Sequence, residues 1–170
     1  GAGHITSGLP NQDSADARTI LPGCGPFPDG CLIAVTADGV GSCSNSAKGS
    51  SRAVSSALDF LTASLVKITQ VDDKMMTDLL YNSFVAAWNA VEDLSYDEEM
   101  PLPSYDTTLD AVIFNGEDLY YGHSGDGGIV TVYSDGTYEM ITKRHKGEEA
   151  NSVIPLLAGP ENWDFGKSEK

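Results

Sequence analysis

Residues 31–41 read Cys31-Leu32-Ile33-Ala34-Val35-Thr36-Ala37-Asp38-Gly39-Val40-Gly41, and this stretch decides the fold. Its first seven residues are short-run, largely apolar and partly β-branched, which predicts a buried strand over 31–37. The strand runs directly into a carboxylate. An Asp on the lip of a buried strand is held rigidly, and the glycine after it lets the backbone turn and bring its carbonyl close to a ligand. Hard cations such as Mg²⁺ and Mn²⁺ require fixed oxygens of this kind. An Asp-Gly pair alone is a common turn, so the surrounding sequence has to separate the two readings.

On the N-terminal side, residues 1–30 read as short extended pieces and loops, with Pro22, Gly23, Gly25, Pro26 and Pro28 marking a turn-rich stretch. On the C-terminal side the period becomes helical from about 45 to 68. Val54, Leu58, Leu61, Leu65 and Ile68 recur at three- and four-residue steps, with Asn45 or Ser46 as the expected cap. A second helix is expected over 72–94, its stripe made of Met76, Leu80, Phe84, Ala87, Val91 and Leu94. These stripes are core rather than a cofactor box.

An acidic, proline-bearing loop over 95–106 separates the helices from a strand region. Strands are expected at 107–114 and 119–123 about the hairpin turn Asn115-Gly116-Glu117-Asp118. Two more are expected at 129–133 and 137–142 about Ser134-Asp135-Gly136. The tail from 143 to 170 reads as mostly irregular. Strands, two long helices and an antiparallel meander make an α+β arrangement rather than a βαβ repeat.

The chain has 170 residues, enough for one domain with a real core. Its 25 acidic and 10 basic residues give a formal charge of −15, which argues against nucleic acid and anionic membrane as partners. No signal-peptide pattern is visible, and the longest apolar runs are too short to cross a bilayer. Cys24, Cys31 and Cys43 are odd in number and match no zinc spacing, so a reducing cytoplasm is the simplest setting.

Three acidic spots sit at expected strand ends or turns: Asn11-Gln12-Asp13-Ser14, Asp38-Gly39, and Gly122-His123-Ser124-Gly125-Asp126-Gly127-Gly128. The third also reads as a wide hairpin loop. Gly122-His123-Ser124-Gly125 is not a nucleophile elbow, since Asp126 holds the fifth place and a strand-like run follows where an elbow needs a helix. P-loop, dinucleotide and EF-hand spacings are missing. His4, His123 and His145 are widely spaced, and a lone His in a strand is more often structural than catalytic.

Taken in order, with two helices between the second spot and the third, these segments resemble metal-dependent serine/threonine phosphatases of the protein phosphatase 2C type. The carrying pieces are Asn11-Gln12-Asp13-Ser14, the run Val35 to Gly41, and Gly49, Ser50 and Ala53 on the first helix. Thr107-Thr108, Gly125-Asp126 and the stretch Ile141-Thr142…His145 complete the set. The resemblance implies an antiparallel β-sandwich flanked by paired helices. It also implies two Mg²⁺ or Mn²⁺ ions bridging a water that attacks a phosphoserine or phosphothreonine of a protein substrate. By position, Asp38 would bridge both ions, Gly39 would offer its carbonyl, and Asp13 would stand in or just outside the ligand shell. Asp126 would serve an additional, weaker metal site.

Departures from the family pattern carry their own expectations. Gly8 stands where the family commonly has a phosphate-gripping Arg, leaving His4 as a substitute phosphate contact, although a neutral imidazole is a poorer clamp than a guanidinium. Gln12 stands where many members have Glu. Ser42-Cys43 follows Gly41 in place of the usual glycine, and Gly127-Gly128 replaces Ser-Arg. The family's later Asp-Gly strand and final Asp have no counterpart, so residues 1–170 are expected to form a single domain corresponding to the first two-thirds or so of the family's. Sheet edges left unpaired would then favour self-association. The alternative function is a phosphatase-like binding or regulatory module without catalysis.

Overall fold

The structure, a computed structural model, describes residues 11–143 and 153–168. Its strands are β1 Asp13–Ile20, β2 Cys31–Asp38, β3 Leu109–Phe114, β4 Leu119–Ser124, β5 Val130–Val132, β6 Tyr138–Met140 and β7 Asp164–Ser168. Helices α1, Ser46–Leu65, and α2, Asp73–Asp97, lie between β2 and β3. One antiparallel sheet has the order β1-β2-β3-β4-β7, and β5 and β6 form a separate two-stranded ribbon. The α+β class and the helix pair expected from the sequence are both present.

Side-chain alternation divides the five-stranded sheet into two unlike faces. Cys31, Ile33, Val35 and Ala37 of β2 and Leu109, Ala111 and Ile113 of β3 are buried with Leu58, Leu61, Leu65, Leu80, Phe84 and Val91 of the helices. The other face carries Leu32, Thr36 and Asp38, all exposed, and Asp110, partly so. The β5–β6 ribbon lies along part of this second face, where Thr131, Val132 and Tyr133 share a crevice with Phe114, Leu119 and Ser168.

The helices start differently. Asp72 caps α2, its carboxylate accepting from the Met75 N–H at 2.9 Å. Asn45, one of the two caps expected for α1 with Ser46, stands at the cap position but makes no side-chain cap bond. Its amide donates to Ser104 Oγ at 3.0 Å, and the Ser46 hydroxyl donates to the Cys43 carbonyl at 3.0 Å. Both groups anchor the helix start to neighbouring loops, so long-range partners outcompete the local cap.

The tail is the main correction to the sequence reading. It forms β7, which pairs with β4 from Leu119↔Ser168 to His123↔Asp164. Gly166 and the single apolar Phe165 give this strand no alternating signal of its own. Its place is set by Phe165, which meets Phe84 edge-on at 5.1 Å, and by Trp163, which lies between Tyr81, Phe84 and Trp88. The Trp163 indole N–H donates to the Leu156 carbonyl at 3.0 Å, satisfying the only polar atom it buries.

Candidate metal centre

Asp13 opens β1 and Asp38 closes β2, and the antiparallel register sets them directly opposite. The Gly39 N–H donates to the Gln12 carbonyl at 3.1 Å, so Gln12 and Gly39 form the hydrogen-bonded pair of this ladder. Asp13 and Asp38 are therefore a non-hydrogen-bonded pair, the kind whose side chains approach more closely. Both are exposed on the open face. Like charges directly opposite each other across a ladder are destabilising unless something neutralises them.

The backbone beneath Asp38 is tightly held. Its N–H donates to Thr108 Oγ1 at 2.9 Å, and its carbonyl accepts from the Thr108 N–H at 2.9 Å and from Thr107 Oγ1 at 3.1 Å. Thr107-Thr108, read from the sequence only as the opening of a strand, is the clamp for this strand end. Gly39 is required here for space rather than for a turn. A Cβ on it would lie 2.8 Å from the carbonyl oxygens of both Gln12 and Ser46. Among the described residues no donor reaches the Gly39 carbonyl.

Gln12 is buried on the opposite side of β1 from Asp13. Its amide donates to Ser46 Oγ at 2.8 Å, while Ser50 Oγ donates to the Gln12 carbonyl at 2.6 Å. The residue joins the start of β1 to α1 and brings no charge to the open face. Asp13 is positioned by these ties and by Asn11, whose Oδ1 accepts the Asp13 N–H at 3.3 Å.

Asp13 and Asp38 line a cleft of about 490 Å³ together with Asn11, Thr108, Asp110, Gly127 and Gly128. Sequence reasoning passed over Asp110. The available signal was its charge at an open-face position of an otherwise apolar strand, Leu-Asp-Ala-Val-Ile-Phe. One oxygen of Asp110 bonds to His123 Nδ1 at 2.5 Å, and the other stands where a side chain on Gly127 would have to go. Asp126 lies in the turn between β4 and β5, half-buried, and is not among the residues lining the cleft. His4 lies outside the described residues.

Next in the chain to the Thr107-Thr108 clamp, Asp106 is partly buried beside Cys43. Burial pushes its carboxyl up to about 6, and burial and the nearby Asp106 charge raise the Cys43 thiol in turn. The Asp106 carbonyl accepts the Val40 N–H at 2.9 Å, tying this residue to the loop that follows Gly39.

The family model of protein phosphatase 2C matches residues 1–163. The chain belongs to the protein phosphatase 2C family. Among curated proteins none matches by sequence. A serine/threonine phosphatase from S. agalactiae is similar in structure, with a TM-score of 0.63 at 17% identity over 94% of this chain and 69% of its own. A stage II sporulation E family protein from Thermanaerovibrio acidaminovorans gives 0.60 at 15% identity, over 91% and 73%. The catalytic domain of the phosphatase PstP, solved with two manganese ions, gives 0.50 at 17% identity, over 92% and 72%. At such identities the likeness is one of fold.

The donors of this protein phosphatase 2C chain fit a hard divalent cation in kind. Asp13 and Asp38 supply exposed carboxylate oxygens from opposed positions on adjacent strands, and Gly39 supplies a carbonyl that meets no donor among the described residues. In number they fall short of the six or more oxygens such ions take. Among the described residues no group of three or more His, Cys, Asp or Glu side chains could hold a metal ion.

Proposed function

We propose that this protein phosphatase 2C relative hydrolyses phosphoserine and phosphothreonine in proteins with the help of Mg²⁺ or Mn²⁺, and that the chain contributes Asp13, Asp38 and the Gly39 carbonyl to the metal centre. The supporting observation is the register that sets Asp13 opposite Asp38 at the ends of adjacent strands, with both carboxylates lining one cleft. When bound, a pair of such ions polarises a phosphoryl oxygen and lowers the pKa of water. The protein's own part is to hold the oxygens still. Thr107 and Thr108 fix the Asp38 backbone, and Gln12 with Ser46 and Ser50 fixes the start of β1. Asp126 would serve an additional, weaker cation site, and His4 would contact the phosphate.

The chain spans about seven-tenths of the length of the solved structures it resembles. We assign the remaining metal ligands to further sequence of the same domain. The chain by itself is then expected to bind Mn²⁺ weakly and to turn over little or nothing. We place the protein in a reducing cytoplasm, in keeping with the free Cys24, Cys31 and Cys43; no helix among the described residues is long and apolar enough to cross a membrane. The edge strand β1 offers a route to self-association, opposed by its charged Asp13, Asp16 and Arg18.

The uncharged Gln12, committed to Ser46, favours a second reading: a phosphatase-like module that binds phosphoproteins without cleaving them. Phosphopeptide turnover and Mn²⁺ calorimetry on the complete domain separate the two. Mn²⁺-dependent turnover that Asp38→Asn abolishes supports hydrolysis. Phosphopeptide binding without turnover supports the module. Full turnover by Asp38→Asn would remove Asp38 from the metal centre.

A further inference from the structure

His123 and Asp110 face each other across β3 and β4 on the open side of the sheet. The His123 ring is fully buried, and both its nitrogens meet acceptors. Nδ1 lies 2.5 Å from Asp110 Oδ1, and Nε2 lies 2.8 Å from the Lys143 backbone carbonyl. A carbonyl oxygen can only accept, and an ionised carboxylate can only accept. A neutral imidazole has one N–H and can satisfy one of the two; an imidazolium satisfies both. Among the described residues, the charged groups facing the ring are Asp110 on β3 and Asp164, its register partner on β7. Both are carboxylates, and both favour the cation.

We infer that His123 is carried as a buried imidazolium that pins the chain at Lys143 to the cleft wall, and that loss of its second proton releases the segment from Gly127 to Lys143. The inference goes beyond the hydrolysis proposed above and does not depend on it. Its mechanism follows from the two acceptors. When one proton leaves, the remaining N–H stays with the carboxylate at Nδ1, the stronger acceptor. Nε2 then turns a lone pair toward the Lys143 carbonyl, and a hydrogen bond becomes a repulsion.

Lys143 directly follows Thr142, whose Oγ1 accepts the Ile129 N–H at 2.9 Å, and the Ile141 N–H donates to the Ile129 carbonyl at 3.0 Å. Release at Lys143 thus passes to Ile129 and to the adjacent Gly127-Gly128, which line the cleft beside Asp110. Burial alone would lower the ring's pKa. The hydrogen bond and charge of Asp110, the Lys143 carbonyl and the Asp164 charge outweigh it, and the net direction is upward. Protonated His123 also neutralises the carboxylate next to the Asp13–Asp38 pair, so His123 is a positioning residue with an electrostatic effect on the cleft.

Ring-nitrogen NMR of the chain tests this directly. Both His123 nitrogens are expected to be protonated at pH 7, with a midpoint above that of free histidine, and Asp110→Asn should lower the midpoint enough to cut proton affinity at least about tenfold. Hydrogen exchange, corrected for intrinsic rates, should show protection at Ile129 and Ile141 falling through the same midpoint. His123→Gln should leave these amides poorly protected at every pH. A neutral ring with one N–H at pH 6.5 would overturn the inference. So would unchanged protection at Ile129 and Ile141 through the midpoint. Both of these readings come from the wild-type chain, so the test stands even if a variant fails to fold.

Discussion

Replacing Asp13 with Asn should stabilise the chain in the absence of metal. The two side chains have nearly the same shape, and the hydrogen bonds between Asn11 and the Asp13 backbone are untouched. What changes is the charge opposite Asp38. The Cβ atoms of a directly opposed cross-strand pair stand about 5 Å apart, and two exposed unit charges at about that distance in water repel by about 0.8 kcal/mol. Splaying of the side chains and counter-ions reduce this to roughly 0.4–0.8 kcal/mol, or about 1–3 °C in Tm for a chain of this size. Urea melts in a chelator at about 20 mM salt should show the gain, and it should largely vanish at about 0.5 M salt, where the Debye length drops to a few ångströms. In the complete domain, the rise in Tm on adding Mn²⁺ should shrink in the same variant, because a cation that binds only the native state stabilises by its own affinity. A destabilised Asp13→Asn, or a gain equal at both salt concentrations, would refute the claim that two carboxylates oppose each other at this strand end.

Three further outcomes follow from the packing and the buried charges. Gly39→Ala should cost about 1–3 kcal/mol, since its Cβ presses on the Gln12 and Ser46 carbonyl oxygens; a neutral effect in chemical denaturation would show that β2 and α1 are not so close. Phe84→Ala should cost about 3–5 kcal/mol, because the ring is fully buried against Trp163 and Phe165, and a loss below about 1 kcal/mol would argue against β7 as part of the core. Asp106 holds its proton up to about 6, above its unfolded value near 3.9, so the native state binds more protons in this window and stability should fall as pH rises from about 4 to 6. Asp106→Asn should remove that slope and add about 1–2 kcal/mol at pH 7 after allowance for partial exposure; an unchanged pH profile would contradict the raised value.

The order of elements could be read directly from the chain. The short apolar run at 31–37, the three- and four-residue stripes of α1 and α2, and the hairpin turn at Asn115-Gly116 are local patterns, and burial imposes them wherever the element lies. Asp38 was legible for the same reason, as a carboxylate on the lip of a buried strand. Asp13 was named beside it only through the family resemblance, not from local pattern. Whether Asp13 faces Asp38 or the helices depends on register, and a slip of one residue reverses every side chain. Gly39 was legible as a glycine but not for its reason, which is the closeness of Gln12 and Ser46 rather than a turn. Asn45 carried a sound local capping signal that Ser104 overrode from 59 residues away. Asp110 and His123 lie 13 residues apart and meet only because β3 and β4 pair. β7 has almost no periodicity and exists because Phe165 and Trp163 find the rings of α2. Local alternation and helical period determined which elements form, and the non-local ladder decided which charges meet, because register is a property of two strands and is written in neither alone.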